Sequence, residues 1–67
     1  MKAKTMGERI KALREGRALS QQALAVLLGV SVSQVSRWER DEQEPSVSSL
    51  RALARELAVS LDELIGR

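Results

Sequence analysis

Five short segments of this chain begin at a serine or threonine placed where the N-terminus of an α-helix is capped. Ser20 and Ser46 are simple N-cap candidates. Three further sites form a capping box, serine or threonine followed three residues later by glutamate or glutamine: Thr5–Glu8, Ser31–Gln34 and Ser60–Glu63. Apolar residues then recur at helical spacing, which predicts helices at roughly 6–16, 21–28, 32–40, 47–57 and 61–65. Strand-like alternation is essentially missing, so the expected fold class is all-α.

The length and composition narrow the possible functions. With 67 residues the chain is expected to form one domain, with residues 1–4 as a flexible N-terminal arm. It contains neither cysteine nor histidine, so disulfides, thiolate metal sites and the commonest general base are excluded. We therefore expect no catalysis, metal, cofactor or small-molecule ligand. No apolar run is long enough to span a membrane, and a cytoplasmic location is expected.

Charge is distributed unevenly along the chain. Residues 1–40 contain eight lysine or arginine residues and three glutamates, whereas residues 41–67 contain three arginines and six acidic residues. This asymmetry favours contact between the first part of the chain and a polyanion. Chance placement of solvated charges is the alternative.

The connection between the second and third helices is very short. Gly29 fits the left-handed position that ends a helix, and only Val30 and Ser31 precede the next one. A connection of this length predicts that the two helices cross at a large angle rather than pack as an antiparallel hairpin.

The third predicted helix has two different sides. At about 100° per residue, Val35 and Trp38 share one side and would anchor the helix in the core. The other side holds Val32, Ser33, Ser36, Arg37 and Arg40. Hydroxyl, methyl and guanidinium groups suit the edges of bases in a DNA major groove. An ordinary amphipathic surface helix is the alternative, although its outer face would more typically carry glutamate, lysine and alanine.

The segment "QQALAVLLGVSVSQVSRWER", residues 21–40, resembles the helix-turn-helix of the phage-repressor and Cro-like (XRE) family. Ala25 is small enough for the two helices to approach, and Gly29 makes the turn. The apolar positions that set the angle between the helices are Leu24, Leu28, Val30, Val35 and Trp38. The flanks "LREGRALSQ", "RWERDEQEPS" and "LARELAVSLDELI" are also similar to this family. The resemblance implies a compact five-helix, repressor-like domain with the helix-turn-helix in helices 2 and 3.

The resemblance also implies roles for individual residues. Base-reading positions fall on Val32, Ser33 and Arg37, and the outward face adds Ser36. Arg37 would bond guanine in bidentate fashion, Val32 would meet a thymine methyl, and Ser33 would serve a base edge or a phosphate. Phosphate-contacting positions match Gln21, Arg40 and Gln43, while Gln34 is a capping or phosphate residue. A buried structural ion pair, common in the family, maps to Arg14 and Glu39.

Two positions depart from the family pattern. Glycine usually follows the first helix and the recognition helix, but here those places hold Ala18 and Asp41. A left-handed residue other than glycine costs about 1–2 kcal/mol, so different turns are a possibility at both places. Gly16 is a candidate for ending the first helix instead. The acidic run Asp41-Glu42-Gln43-Glu44 is interpreted as a solvated turn pointing away from DNA.

The leading functional hypothesis is a sequence-specific regulator of transcription that binds double-stranded DNA. Because each chain has a single DNA-reading helix, we expect a homodimer on a pseudo-palindromic operator. The candidate dimer contacts, each with plain core as its alternative, are Leu57, Leu61, Leu64 and Ile65. A protein-interaction module, such as an antitoxin or a regulator partner, is the competing hypothesis. Operator sequence, regulatory signal, biological context and repression versus activation stay open.

Overall fold

The computed structural model describes residues 3–66, and every regular element in that range is an α-helix. The helices are α1 (Met6–Gly16), α2 (Gln21–Leu28), α3 (Val32–Glu39), α4 (Val47–Leu57) and α5 (Leu61–Ile65). The predicted boundaries are confirmed, except that α3 ends at Glu39 rather than Arg40. Residues 1 and 2 of the expected N-terminal arm lie outside the described range. None of the described helices combines the length and apolar character needed to cross a membrane.

All five helices begin at the predicted serine or threonine caps. The side chains of Thr5, Ser20, Ser31, Ser46 and Ser60 each accept a hydrogen bond from a backbone N–H three residues later. The three predicted capping boxes are also present, so this level of structure follows from local chemistry.

In the first capping box, the carboxylate of Glu8 accepts hydrogen bonds from the backbone N–H groups of Lys4 and Thr5, at 2.8 and 3.1 Å. These two bonds lower the pKa of Glu8 below the ordinary value of a glutamate. The charged carboxylate therefore stabilises the start of α1.

The ends of α1 to α4 share one geometry. In each, the residue that follows a left-handed residue donates its N–H to a carbonyl five residues back, as Leu19 does to Arg14 and Val30 to Ala25. This is the Schellman motif, which places a left-handed residue just after the helix. Gly29 fills that place after α2, with φ of 70°. After the other three helices the left-handed residue is Ala18, Asp41 or Ala58, with φ of 57°, 59° and 57°. The suggestion of different turns at Ala18 and Asp41 is therefore wrong.

The core lies where the five helices converge. Its buried side chains come from every helix: Ile10, Leu24, Ala25, Val35, Trp38, Leu53, Leu57 and Leu64.

Two candidate dimer contacts belong to this buried set. Leu57 is 2% exposed and Leu64 is fully buried, so neither presents a surface to a second subunit. Both side chains help to close the core instead.

Helix α5 is held against α1 by a polar contact as well. The guanidinium of Arg9 donates from Nε to the carbonyl oxygen of Leu64 at 3.0 Å, and from an Nη to that of Ile65 at 2.6 Å. A cation at the C-terminus of a helix satisfies free carbonyls and opposes the negative end of the dipole. Arg9 therefore contributes to the fold, although it also counts toward the basic part of the chain.

The start of α1 meets the end of α3 at very short range. A Cβ added to Gly7 would lie 2.7 Å from the carbonyl oxygen of Glu39 and even closer to that of Trp38. Asp41, the second residue after α3, accepts hydrogen bonds from the Gly7 N–H at 3.0 Å and from the Thr5 hydroxyl at 2.6 Å. All four residues of the acidic run are exposed, as expected of a solvated turn, and the carboxylate of Asp41 has the additional role of capping α1. The close approach fixes how α3 sits on the rest of the domain.

Candidate nucleic-acid interface

Helix α3 separates its buried and exposed residues as its sequence predicts. Val35 is fully buried and Trp38 is 3% exposed, so one side of the helix is fixed in the core. On the other side Val32 is 42% exposed, and Ser33 and Arg37 are exposed as well. The reading surface proposed from the sequence is therefore accessible to solvent.

An open depression of about 390 Å³ lies over this exposed side. The side chains that line it come from the first residue of α2, from α3 and from the residue after α3: Gln21, Val32, Ser33, Ser36, Arg37 and Arg40. We call this set the α3 surface. It unites all four candidate base-reading residues with two of the four candidate phosphate-contacting residues. The first turns of α2 and α3 both reach it, and helix N-termini attract anions through their N–H groups and dipoles.

The other two candidate phosphate-contacting residues lie outside the α3 surface. The Gln34 side chain accepts a hydrogen bond from the Ser31 N–H at 3.0 Å, which completes the capping box of α3. Of the two roles left open for Gln34, the structure shows the capping role. Gln43 is exposed in the loop between α3 and α4.

A buried ion pair holds the C-terminal end of α3 against α1. The Arg14 Nε and one Nη donate to the two carboxylate oxygens of Glu39, at 2.7 and 3.0 Å. Side-chain exposure is 9% for Arg14 and 3% for Glu39. The Glu39 carboxylate raises the pKa of Arg14 through this hydrogen bond. The other Nη of Arg14 donates to the Leu19 carbonyl at 2.7 Å, so the same side chain also fixes the connection into α2.

Gln21 joins this ion pair to the α3 surface. Its amide nitrogen Nε2 donates to Glu39 Oε1 at 3.0 Å, while the same half-buried side chain lines the depression. The polar side chains at the ends of α1 and α3 and the start of α2 therefore form one connected network. No polar side-chain atom is buried without a hydrogen-bond partner among residues 3–66.

Comparison with known proteins establishes the family. A family model described as helix-turn-helix matches residues 10–64. The chain belongs to the helix-turn-helix family. Its α2 and α3 form the motif, as the resemblance of residues 21–40 implied.

Several relatives carry the name of a repressor or a transcriptional regulator. The repressor protein C2 of Salmonella phage P22 is 43% identical over 65 residues, which cover 97% of this chain and 30% of that protein. The immunity repressor protein of Bacillus phage phi105 is 40% identical over 62 residues, covering 92% of this chain and 43% of that protein. The chain thus spans less than half the length of these two relatives.

Solved structures of similar chains include complexes with DNA. The P22 c2 repressor bound to the synthetic operator 9T superimposes with a TM-score of 0.89 at 43% identity, covering 94% of this chain and 96% of that one. The biofilm regulator SinR bound to DNA gives 0.83 at 36% identity, covering 90% of this chain and 97% of that one. The five-helix fold of this chain is therefore that of a helix-turn-helix DNA-binding domain.

The two arginines of the α3 surface differ in whether they form an ion pair within the domain. Arg37 forms no ion pair with any residue between 3 and 66. An Nη of Arg40 lies 3.2 Å from Glu42 Oε1 in a pair whose side chains are 59% and 56% exposed. An exposed pair of this kind contributes less than about 1 kcal/mol, so Arg40 can exchange Glu42 for another anion at small cost.

Sequence reasoning missed three residues that hold this interface in place. Gly7 permits the contact between α1 and α3, Asp41 caps α1, and Arg9 caps α5. Their hydrogen-bond partners lie 34 to 56 residues away in the chain, so no local pattern marks them. A glycine at the second position of a predicted helix was the one available signal, because glycine weakens a helix unless close packing requires it.

Proposed function

We propose that this chain is the DNA-binding domain of a sequence-specific regulator of transcription. The observation that carries the proposal is the α3 surface, where hydroxyl, methyl and guanidinium groups share one accessible side of a rigidly held helix. Support also comes from the structural similarity to the P22 c2 repressor in complex with a synthetic operator. We assign no reaction to this surface, and we place the chain in the cytoplasm beside its DNA target.

In this proposal, α3 enters the major groove and the residues of the α3 surface divide into two groups. Val32, Ser33, Ser36 and Arg37 meet base edges, and the guanidinium of Arg37 is suited to bidentate bonding with guanine O6 and N7. Gln21 and Arg40, which line the same depression, hold the phosphate backbone. Phosphate contacts position the protein, and base contacts specify the sequence.

Selection of bound sites from random double-stranded DNA tests the proposal. We expect an enriched motif, and a single Arg37→Ala substitution should weaken binding to that motif by about 10- to 100-fold, which corresponds to the worth of one bidentate base contact. Arg51→Ala is the matched control, because it removes the same charge from an exposed position on α4. Failure to enrich any motif, or equal losses for the two variants, would rule out sequence reading by the α3 surface.

We further propose that two copies of the chain bind a pseudo-palindromic operator through their α5 helices. Leu61 and Ile65 are 40% and 43% exposed and lie four residues apart, so they share one face of α5. One copy contacts DNA with a single short helix, so two copies together bind more tightly and recognise a longer DNA site. The exposed pair replaces the four-residue set expected from the sequence.

The dimer is tested by replacing one exposed aliphatic residue with a charge. Leu61→Glu should lower the dimer fraction in sedimentation equilibrium and reduce cooperative binding to the selected motif. Val47→Glu is the matched control, because Val47 is also the first residue of a helix and is 66% exposed. An oligomeric state that responds equally to both variants, or to neither, would refute the α5 interface.

A further inference from the structure

The hydrogen bond between Gln21 and Glu39 crosses from the buried ion pair to the α3 surface. Glu39 is bound by Arg14 through both carboxylate oxygens, so it is an acceptor only. The Gln21 amide must therefore turn its NH₂ group, and not its oxygen, toward Glu39. This fixes the orientation of a side chain that would otherwise rotate freely between two nearly equivalent arrangements.

An NH₂ group has two hydrogens, and the ion pair uses one of them. The 3.0 Å contact with Glu39 Oε1 occupies one N–H of Gln21. Since Gln21 also lines the depression, the second N–H is left for an acceptor on that side. A side chain held in this way loses little conformational entropy when it binds, which favours affinity.

The charge of Glu39 does not oppose an anion at this place. The Glu39 side chain is 3% exposed, and its Oε2 lies 2.7 Å from the Nε of Arg14. The ion pair therefore presents no net charge to the depression. A free carboxylate in the same position would repel a DNA phosphate. Arg14 thus allows Glu39 to orient Gln21 without an electrostatic cost to DNA binding.

We propose that Glu39 is a positioning residue for DNA binding, which with Arg14 presents the second Nε2 hydrogen of Gln21 to a backbone phosphate. This inference rests on the proposed function, since it needs double-stranded DNA in the depression. It gives the buried ion pair a second role beyond joining α1 to α3. This role raises the affinity for DNA and does not affect which bases are recognised.

A double-mutant cycle tests the proposal in the 67-residue chain, with a duplex recovered by selection from random DNA. Gln21→Met keeps the length of the side chain and removes both donors. It should weaken binding about tenfold, the worth of one hydrogen bond to a charged group. Because glutamine is neutral, the dependence of affinity on salt should not change, whereas Arg40→Ala should lower its slope by about one. Gln22→Met, at an exposed neighbouring position, is the matched control and should have no effect.

The second half of the cycle removes the ion pair. Arg14→Met combined with Glu39→Met replaces it by apolar side chains, a change that buried pairs often tolerate. The fluorescence of Trp38 reports whether this background is folded. In it, Gln21→Met should change affinity by less than about twofold, since Gln21 is no longer oriented. An undiminished tenfold loss in this background would overturn the positioning role and leave the proposed function intact.

NMR of the side-chain amide gives a second readout that does not depend on the ion-pair variant folding. In the free protein, one Nε2 hydrogen of Gln21 should be shifted from the value for an exposed glutamine, and added duplex should shift the other. Two hydrogens at exposed values in the free protein would overturn the inference. If the wild-type chain binds no duplex at all, the proposed function fails, and this inference fails with it.

Discussion

The two sides of α3 differ in what they are built to contact. The inner side contains Val35 and Trp38 in the core and ends in Glu39, which Arg14 binds through two hydrogen bonds. The outer side contains Val32, Ser33 and Arg37, which are exposed. Inner substitutions should change the free energy of unfolding, and outer ones should change DNA binding alone. Because the inner side fixes the position of α3, the residues of the outer side are not needed for stability and can be specialised for recognition.

The largest effect should come from breaking the buried ion pair. Glu39→Ala leaves the Arg14 guanidinium buried without its partner, and we expect a loss of about 3–5 kcal/mol in the free energy of unfolding. Urea denaturation followed by Trp38 fluorescence measures it. Glu42→Ala, which removes an exposed partner of Arg40, should cost less than about 1 kcal/mol. Similar costs for these two variants would contradict the division between the two sides.

The next effect should come from separating α1 from the end of α3. Gly7→Ala places a methyl group against the carbonyl oxygens of Trp38 and Glu39, and we expect a destabilisation of about 1–3 kcal/mol. Thermal unfolding by circular dichroism provides the measurement. Gly16→Ala adds the same methyl group where no atom lies within 4 Å. If Gly16→Ala were as harmful as Gly7→Ala, close packing would not be the reason for glycine at position 7.

Serine substitutions provide an intermediate comparison within α3 itself. Ser31→Ala removes the N-cap and should destabilise the domain by about 1 kcal/mol. Ser33→Ala lies two residues further on the outer side and should leave the free energy of unfolding within about 0.5 kcal/mol. Chemical denaturation of both variants checks the pair. A larger stability loss for Ser33→Ala would show that this hydroxyl supports the fold rather than the interface.

The two left-handed residues at Ala18 and Asp41 should respond differently to glycine. Ala18→Gly relieves the strained backbone at φ of 57° and should stabilise the domain by about 0.5–1 kcal/mol. Asp41→Gly gains the same relief but loses the hydrogen bonds to Gly7 and Thr5, each worth about 1 kcal/mol. It should therefore be neutral or destabilising in thermal unfolding. Equal stabilisation by both variants would show that the Asp41 carboxylate contributes nothing.

The smallest effect on stability should come from the residue with the largest expected effect on DNA. Arg37 is exposed, and its guanidinium forms no ion pair with residues 3–66. Arg37→Ala should change the free energy of unfolding by less than about 0.5 kcal/mol while weakening DNA binding as described above. Parallel denaturation and binding measurements on one preparation test this. A marked loss of stability would place Arg37 in the framework of the domain.

Much of the local structure was predictable because it depends on neighbours in the sequence. Ser31 and Gln34 cap α3 with no help from the rest of the chain, and Gly29 ends α2 by its own conformational freedom. The alternation of faces in α3 predicted that Val35 and Trp38 are buried. Leu57 and Leu64 were ambiguous, because the same apolar spacing serves a core and a dimer interface. Only the packing of α4 and α5 showed that both are interior.

The sequence by itself determined the five helices, their starts, and the side of α3 that faces solvent, since each depends on contacts within a few residues. The tertiary structure alone decided which distant groups meet. It brought Asp41 to Gly7, Arg9 to the end of α5, and Gln21 to Glu39. Partial burial reduces the competition of water for these polar groups, so their energies depend on where the packed helices place them. A hydrogen bond between distant residues is a property of the fold.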